Sequence, residues 1–334
     1  MVLTRPVFLH ALRLFAAASI ALALAIALEL QNPFWAAMPV WVVVQAYRQD
    51  LIVRAVFRVI GTLIGAGLAL WVLYTLQSPF AQSLALGAMI GLGTFMAFRI
   101  GTIYSYGPLI AAITVGVIIL PALDHPINGA DLAIDRIWCT FIGVFAVTIA
   151  TFPFTPKNSE TLPRHIDHGL RPAILRAAFS SVAAFGAGLG LSYFGGPVTL
   201  SASLSICVFV TLLGAMPNPD LALKNIIPGA ILGVSAAVIY RMVSLRLGLE
   251  GIDLFLLAIV FIAGGALLHS HPRTAALGLD ANMCFLLAAE AGTTGHAPLH
   301  HITAGVALVG GAACVVLCYR LARFTSSRTS HSVL

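Results

Sequence analysis

Asp280 lies in the apolar run Ala276-Leu277-Gly278-Leu279-Asp280-Ala281-Asn282-Met283. An acid deep in a membrane span costs about 2.5–3.5 kcal/mol even on the lenient insertion scale. A residue kept there despite that cost has two natural roles. It faces a polar cavity, where it contacts a solute or exchanges a proton, or it packs helices together through Asn282 or a neighbouring arginine. Asp280 follows Arg273 by the same interval as Tyr106 follows Arg99. If the arginines correspond, Tyr104 and Tyr106 are expected to line the same cavity as Asp280.

An anionic solute needs a cation. Arg58 falls about one helical turn inside an apolar segment, and Arg54 one turn earlier. Arg58 either attracts an anion or snorkels to the headgroups. Trp35 and Trp41 either stack on a ring or belong to an interfacial belt. Ser201 and Ser203 share a segment with Thr199 and Ser205 and are further candidates. Arg136 is expected to pair with Asp131 or Asp135 at the outer surface, a structural role. The groups His269/His271 and His296/His300/His301 have no nearby acidic or cysteine partner, so no metal is expected. Cys139, Cys207, Cys284, Cys314 and Cys318 all sit in apolar segments, without a CxxC. The chain has two lysines, Lys157 and Lys224, and neither completes a P-loop. No nucleophile–base pair or carboxylate pair stands out, so neither an enzyme nor a cofactor is expected. Active transport would draw on an ion gradient or on a partner.

The elements that must position these residues are membrane helices. Of 334 residues, 60% are hydrophobic and only 9% charged, with a mean hydropathy of +0.99. So few charges cannot cover a water-exposed surface, and lipid is the solvent that removes the difficulty. The net charge of +6 is spread over segment ends and is no nucleic-acid signal. At about 20 residues per span, the chain holds about 12 transmembrane helices. They begin with Phe8–Leu30, Pro33–Ala46, Val53–Leu76, Phe80–Phe98, Thr102–Leu120 and Asp131–Phe154. After a polar stretch come Arg171–Phe194, Pro197–Met216, Leu221–Leu245, Ile252–Leu268, Arg273–Ala289 and Pro298–Phe324. The first segment reads as an uncleaved span. With both termini in the cytoplasm, every basic residue except Arg136, Arg241 and Arg246 falls inside.

The chain repeats. Arg13 matches Arg176, Pro33 matches Pro197, Gly61 and Gly65 match Gly229 and Gly233, and Arg99 matches Arg273; the offsets are 163, 164, 168 and 174. The expected fold is an all-α integral membrane protein of two parallel six-helix repeats. Residues 1–154 form the first repeat, 155–170 a cytoplasmic linker, 171–324 the second repeat and 325–334 a tail. The pseudo-axis runs along the membrane normal. The second and eighth spans, one short and both starting at proline, are expected to flank the solute site. Gly61/Gly65 and Gly229/Gly233 are expected to be close-packing sites.

Three stretches resemble the fusaric acid resistance family. They are Asn32-Pro33-Phe34-Trp35-Ala36-Ala37-Met38-Pro39-Val40-Trp41, the run from Arg54 to Gly65 with Arg58 and Gly61-Thr62, and Asp135-Arg136 through Gly143 to Pro153. The resemblance implies a multi-pass protein of a bacterial inner membrane, surrounded by lipid, that exports small organic anions. Aromatic carboxylic acids are the implied substrates, as for the p-hydroxybenzoate efflux pumps; the intramembrane acid Asp280 would couple their export to the proton gradient. A periplasmic membrane-fusion protein is the implied partner, and a homo-oligomer is a further expectation. Typical members are about twice as long and carry a large cytoplasmic domain, here reduced to the linker. The resemblance also extends to plant anion channels. A passive organic-anion channel and a non-transporting assembly module are therefore the alternatives.

Overall fold

The computed structural model describes residues 4–124, 129–157, 166–294 and 297–330. Residues 158–165 of the linker, with Ser159 and Arg164, lie outside them, as do His296 and the last residues of the tail. Among the described residues the regular structure is helical. Six α-helices lead to the linker: α1 (Arg5–Ala27), α2 (Phe34–Val43), α3 (Arg48–Thr75), α4 (Pro79–Ile100), α5 (Tyr106–Asp124) and α6 (Gly129–Thr151). Six follow it: α7 (Leu170–Phe194), α8 (Gly196–Ala215), α9 (Asp220–Leu247), α10 (Gly251–Ser270), α11 (Ala275–Ala289) and α12 (Pro298–Ser330). Ten helical segments among the described residues are long and apolar enough to cross a membrane.

The two short helices are α2, with 10 residues, and α11, with 15. At 1.5 Å per residue neither crosses a hydrocarbon core about 30 Å thick. The sequence pointed to the eighth span as the companion of α2, yet α8 is an unbroken helix of 20 residues. Pro197 sits in its first turn, where the missing N–H removes no helical hydrogen bond. Its serines bond outward to other helices: Ser203 Oγ donates to Ala187 O (2.9 Å) and Ser205 Oγ to Leu308 O (2.6 Å). By contrast, α11 stops at Glu290, whose φ of 45° leaves the right-handed region. α2 and α11 pack against each other across the repeat boundary.

Helix packing follows the repeat. α3 lies on α5 as α9 lies on α11, and α2 on α6 as α8 on α12. Between the halves, α4 meets α7 as α1 meets α10, and α5 meets α8 as α2 meets α11. Buried side chains form two clusters, and each draws on both sequence halves. One centres on α1, α2, α6, α10 and α11, the other on α4, α5, α7, α8 and α12, with α3 and α9 feeding both.

Glycines set the register of these contacts. A Cβ on Gly61 would meet Gly107 O at 2.6 Å, and one on Gly65 would meet Ala111 O at 2.5 Å. In the second half, Gly229 faces Leu277 O at 3.1 Å and Gly233 abuts Ala281 O. α5 and α11 are thus related by an offset of 170, from 107 to 277 and from 111 to 281. Asp280 therefore corresponds to Ile110; their Cβ atoms take the same place, against Gly229 and Gly61. The match to Tyr106 drawn from the arginine spacing is displaced by one turn. Arg99 lies in the last turn of α4 whereas Arg273 lies beyond the end of α10, so the two arginines are not equivalent positions. Similarly, Gly143 abuts Ala36 O and Pro39, while Gly311 abuts Ala202 O and Ser205.

Candidate functional site: a charged cavity between the repeats

α2, α5, α8 and α11 surround a cavity of about 170 Å³, to which α3, α6 and α12 also contribute. Its wall is mostly apolar, and its distinctive residues are Trp35, Arg58, Tyr106, Arg136, Phe209 and Asp280. α2 and α11 are short, so they end within the bundle and leave this space beside their neighbours.

Arg58 sits about one turn deeper along α3 than Arg54. It is 3% exposed, and its Nη1 donates to Tyr106 Oη at 3.2 Å. Arg54 lies over the ring of the same phenol, 4.9 Å from its centre, and donates to Val42 O (2.8 Å) at the end of α2. Tyr106 is thus held by two guanidinium groups, one at its hydroxyl and one over its ring. Arg136 is 4% exposed and sits over the Trp35 ring at 4.9 Å. The Nε atoms of Arg58 and Arg136 are buried and have no hydrogen-bond partner among the described residues.

The surface ion pair expected for Arg136 does not form. Asp135 instead accepts from the backbone N–H of Gln31 (2.8 Å) and Asn32 (3.2 Å) and from the Asn32 side chain (3.0 Å). Successive helix positions point about 100° apart. Asp135 therefore reaches the turn into α2 while Arg136 reaches the cavity. Arg58, Arg136 and Asp280 make no ion pair within 4.0 Å among the described residues. Asp280 lines the cavity.

The other sequence candidates lie elsewhere. Tyr104, in the 3-10 turn Ile103–Ser105, packs edge-on against Phe57 at 5.7 Å. Trp41 is fully buried and meets His269 edge-on at 6.0 Å. Asn282 donates to Gly265 O at 3.0 Å and fills the place of the missing Cβ, pinning α11 to α10. Ser203 bonds α7, and Ser201 is half-buried one turn before Ser205, which does line the cavity. Arg136 is the residue that sequence reasoning did not place in the site. Its available signal was its depth, about two turns inside α6 and off the side carrying most basic residues.

The repeat carries a symmetric scaffold but asymmetric chemistry. By the glycine registers, Arg58 corresponds to Ile226, Arg136 to Ala304, Tyr106 to Ala276 and Trp35 to Ser201. The first half supplies both cations and the second half the one acid. Such a cavity can hold an amphipathic anion, with its charge at the arginines and its apolar body against aromatic and aliphatic walls. A second cavity of about 200 Å³, between α3, α4 and α5, has no charged side chain on its wall. No group of three or more potential metal ligands occurs among the described residues.

The model of the fusaric acid resistance protein family matches the chain twice, over residues 7–174 and again over 157–334. No curated protein and no solved structure was found to match it.

Proposed function

This chain belongs to the fusaric acid resistance protein family, a family of membrane transporters, and from that premise we propose that it exports small organic anions, chiefly aromatic carboxylates, driven by the proton gradient. The observation that carries the reading is the pair of buried arginines, Arg58 and Arg136, facing one cavity without an acidic partner within 4.0 Å among the described residues. Desolvating a charge costs several kcal/mol per ion after relaxation, and an uncompensated buried charge is strongly unfavourable. A carboxylate entering from water offsets that cost for both arginines. The cavity volume, about 170 Å³, suits a single substituted ring. An apolar cavity of about 150 Å³ takes up benzene. Trp35, Tyr106 and Phe209 supply faces and edges for such a ring.

Asp280 is the group we assign to proton coupling, since it lines the same space and has no basic partner within 4.0 Å among the described residues. We take residues 1–154 and 171–324 as the two repeats and the bacterial inner membrane as the site of action, with both termini cytoplasmic. Arg13, Arg48, Arg99 and Arg176 support that orientation by gathering at one end. Arg13 and Arg48 lie over Phe154 and Phe152, Arg176 lies over Phe98, and Arg99 pairs with Asp167. A periplasmic membrane-fusion partner belongs to this reading.

The test is transport by purified protein in liposomes. Labelled benzenesulfonate, an aromatic anion that stays ionised and so does not cross bilayers as a neutral acid, should accumulate against its gradient when a pH gradient is imposed, and not in empty liposomes. Currents that follow the anion gradient and ignore the pH gradient would replace the exporter with a channel. No flux under either condition would sink both.

A further inference from the structure

Asp280, seen together with Arg58 and Arg136, points beyond a proton site. We infer that Asp280 sets the number of negative charges the ligand can carry, making the cavity selective for monoanions over dianions. The inference rests on the organic-anion reading above.

The charged side chains on the cavity wall are Arg58, Arg136 and Asp280; Tyr106 and Cys284 are the other titratable residues there. With Asp280 ionised, the three charges sum to one positive charge. A monoanion then leaves the occupied site neutral. A dianion leaves an excess negative charge in an apolar enclosure, where uncompensated charge is most costly. The scaffold does not require an acid at this position. Its repeat equivalent, Ile110, packs against Gly61 as Asp280 packs against Gly229 and also lines the cavity. Nor does helix packing consume the carboxylate, because Asn282 makes the bond to α10. The acid is therefore free to count charge.

The experiment compares two probes of one ring type, benzoate and benzene-1,4-dicarboxylate. Binding to wild type, Asp280→Asn and Asp280→Glu is measured by calorimetry in lipid nanodiscs at pH 8.0 and constant ionic strength. Wild type should prefer benzoate. Asp280→Asn, equal in size, should shift the affinity ratio towards the dicarboxylate by about tenfold. That is the scale for unit charges about 10 Å apart at an effective dielectric of about 20. Asp280→Glu should keep the wild-type ratio, since it keeps the charge. If both probes bind and the ratio is the same in Asp280→Asn, the charge-counting role is wrong while the anion reading stands. An Asp280→Asn protein that unfolds like wild type yet binds neither probe also overturns it, because removing a negative charge should not weaken an anion site. If wild type binds neither probe, the aromatic-anion reading falls and takes this inference with it.

Discussion

Arg58 and Arg136 are almost fully buried, and each keeps an Nε without a partner among the described residues. A guanidinium group retained for stability would normally be paired, since an unpaired one carries its desolvation cost uncompensated. Arg136→Ala and Arg58→Ala should therefore weaken benzoate binding by roughly 1.5–3 kcal/mol, the worth of a charged hydrogen bond. Thermal unfolding should move little or upwards. Lower stability with unchanged binding would instead make Arg136 a packing group that rests on Trp35. Asp280→Asn makes a different prediction for transport. The protein should insert and fold normally, because a neutral isostere is cheaper in a low-dielectric site. Uptake driven by a pH gradient should be lost, whereas exchange of labelled for unlabelled benzenesulfonate should survive. Normal pH-driven uptake by well-folded Asp280→Asn would reduce Asp280 to a structural acid.

At the scale of elements, the site depends on how closely α3 approaches α5 and α9 approaches α11. Cβ atoms on Gly65 and Gly233 would strike the carbonyls of Ala111 and Ala281. Backbone cannot yield as a flexible side chain can, so Gly65→Ala and Gly233→Ala should each cost about 1–3 kcal/mol. Gly67→Ala is the internal control, since nothing lies within 4 Å of its added Cβ. Denaturation followed in detergent should separate the first two variants from the third, and equal stability of all three would refute the packing argument. Gly229→Ala is more specific. Its Cβ would press on the Asp280 Cβ at 2.6 Å, so it should impair pH-driven uptake more than its effect on stability predicts. The helix that carries Asp280 is also one of the two short ones, held to α10 by Asn282 and to α9 by glycine. A short helix clamped on two sides keeps a charged side chain in one place at mid-bundle.

For the whole molecule, the two buried clusters tie the sequence halves together, because each cluster contains helices from both. The cavity lies where these halves meet, and its charges come from both. Orientation across the membrane is tested by labelling. A cysteine at Ser159, in a background without the five native cysteines, should resist an impermeant thiol reagent in intact spheroplasts and react after lysis. Reaction from outside would invert the topology. The same cysteine-free background is expected to fold, since Cys139, Cys207 and Cys284 are buried as small apolar groups and no disulfide must be replaced.

Sequence alone was enough for the features that depend on residue type summed along the chain. Low charge and long apolar runs require a membrane-spanning helical protein, and proline, glycine and arginine at matching intervals reveal the duplication. Asp280 and Arg58 stood out because charge inside an apolar run is costly wherever the run folds. Only the tertiary structure decided what depends on helix phase and register. Asp135 and Arg136 are neighbours in sequence, but one turns to the α1–α2 connection and the other to the cavity. Asn282, Trp41 and Ser203 resembled cavity residues by composition, yet their side chains meet neighbouring helices. Counting from the arginines aligned Asp280 with Tyr106. Arg99 lies in the last turn of α4 whereas Arg273 lies beyond the end of α10, so the arginines do not correspond and the glycine registers align Asp280 with Ile110. The reason is geometric. Successive positions on a helix point about 100° apart, so an error of a few residues in register, which leaves hydropathy unchanged, changes which side chains meet.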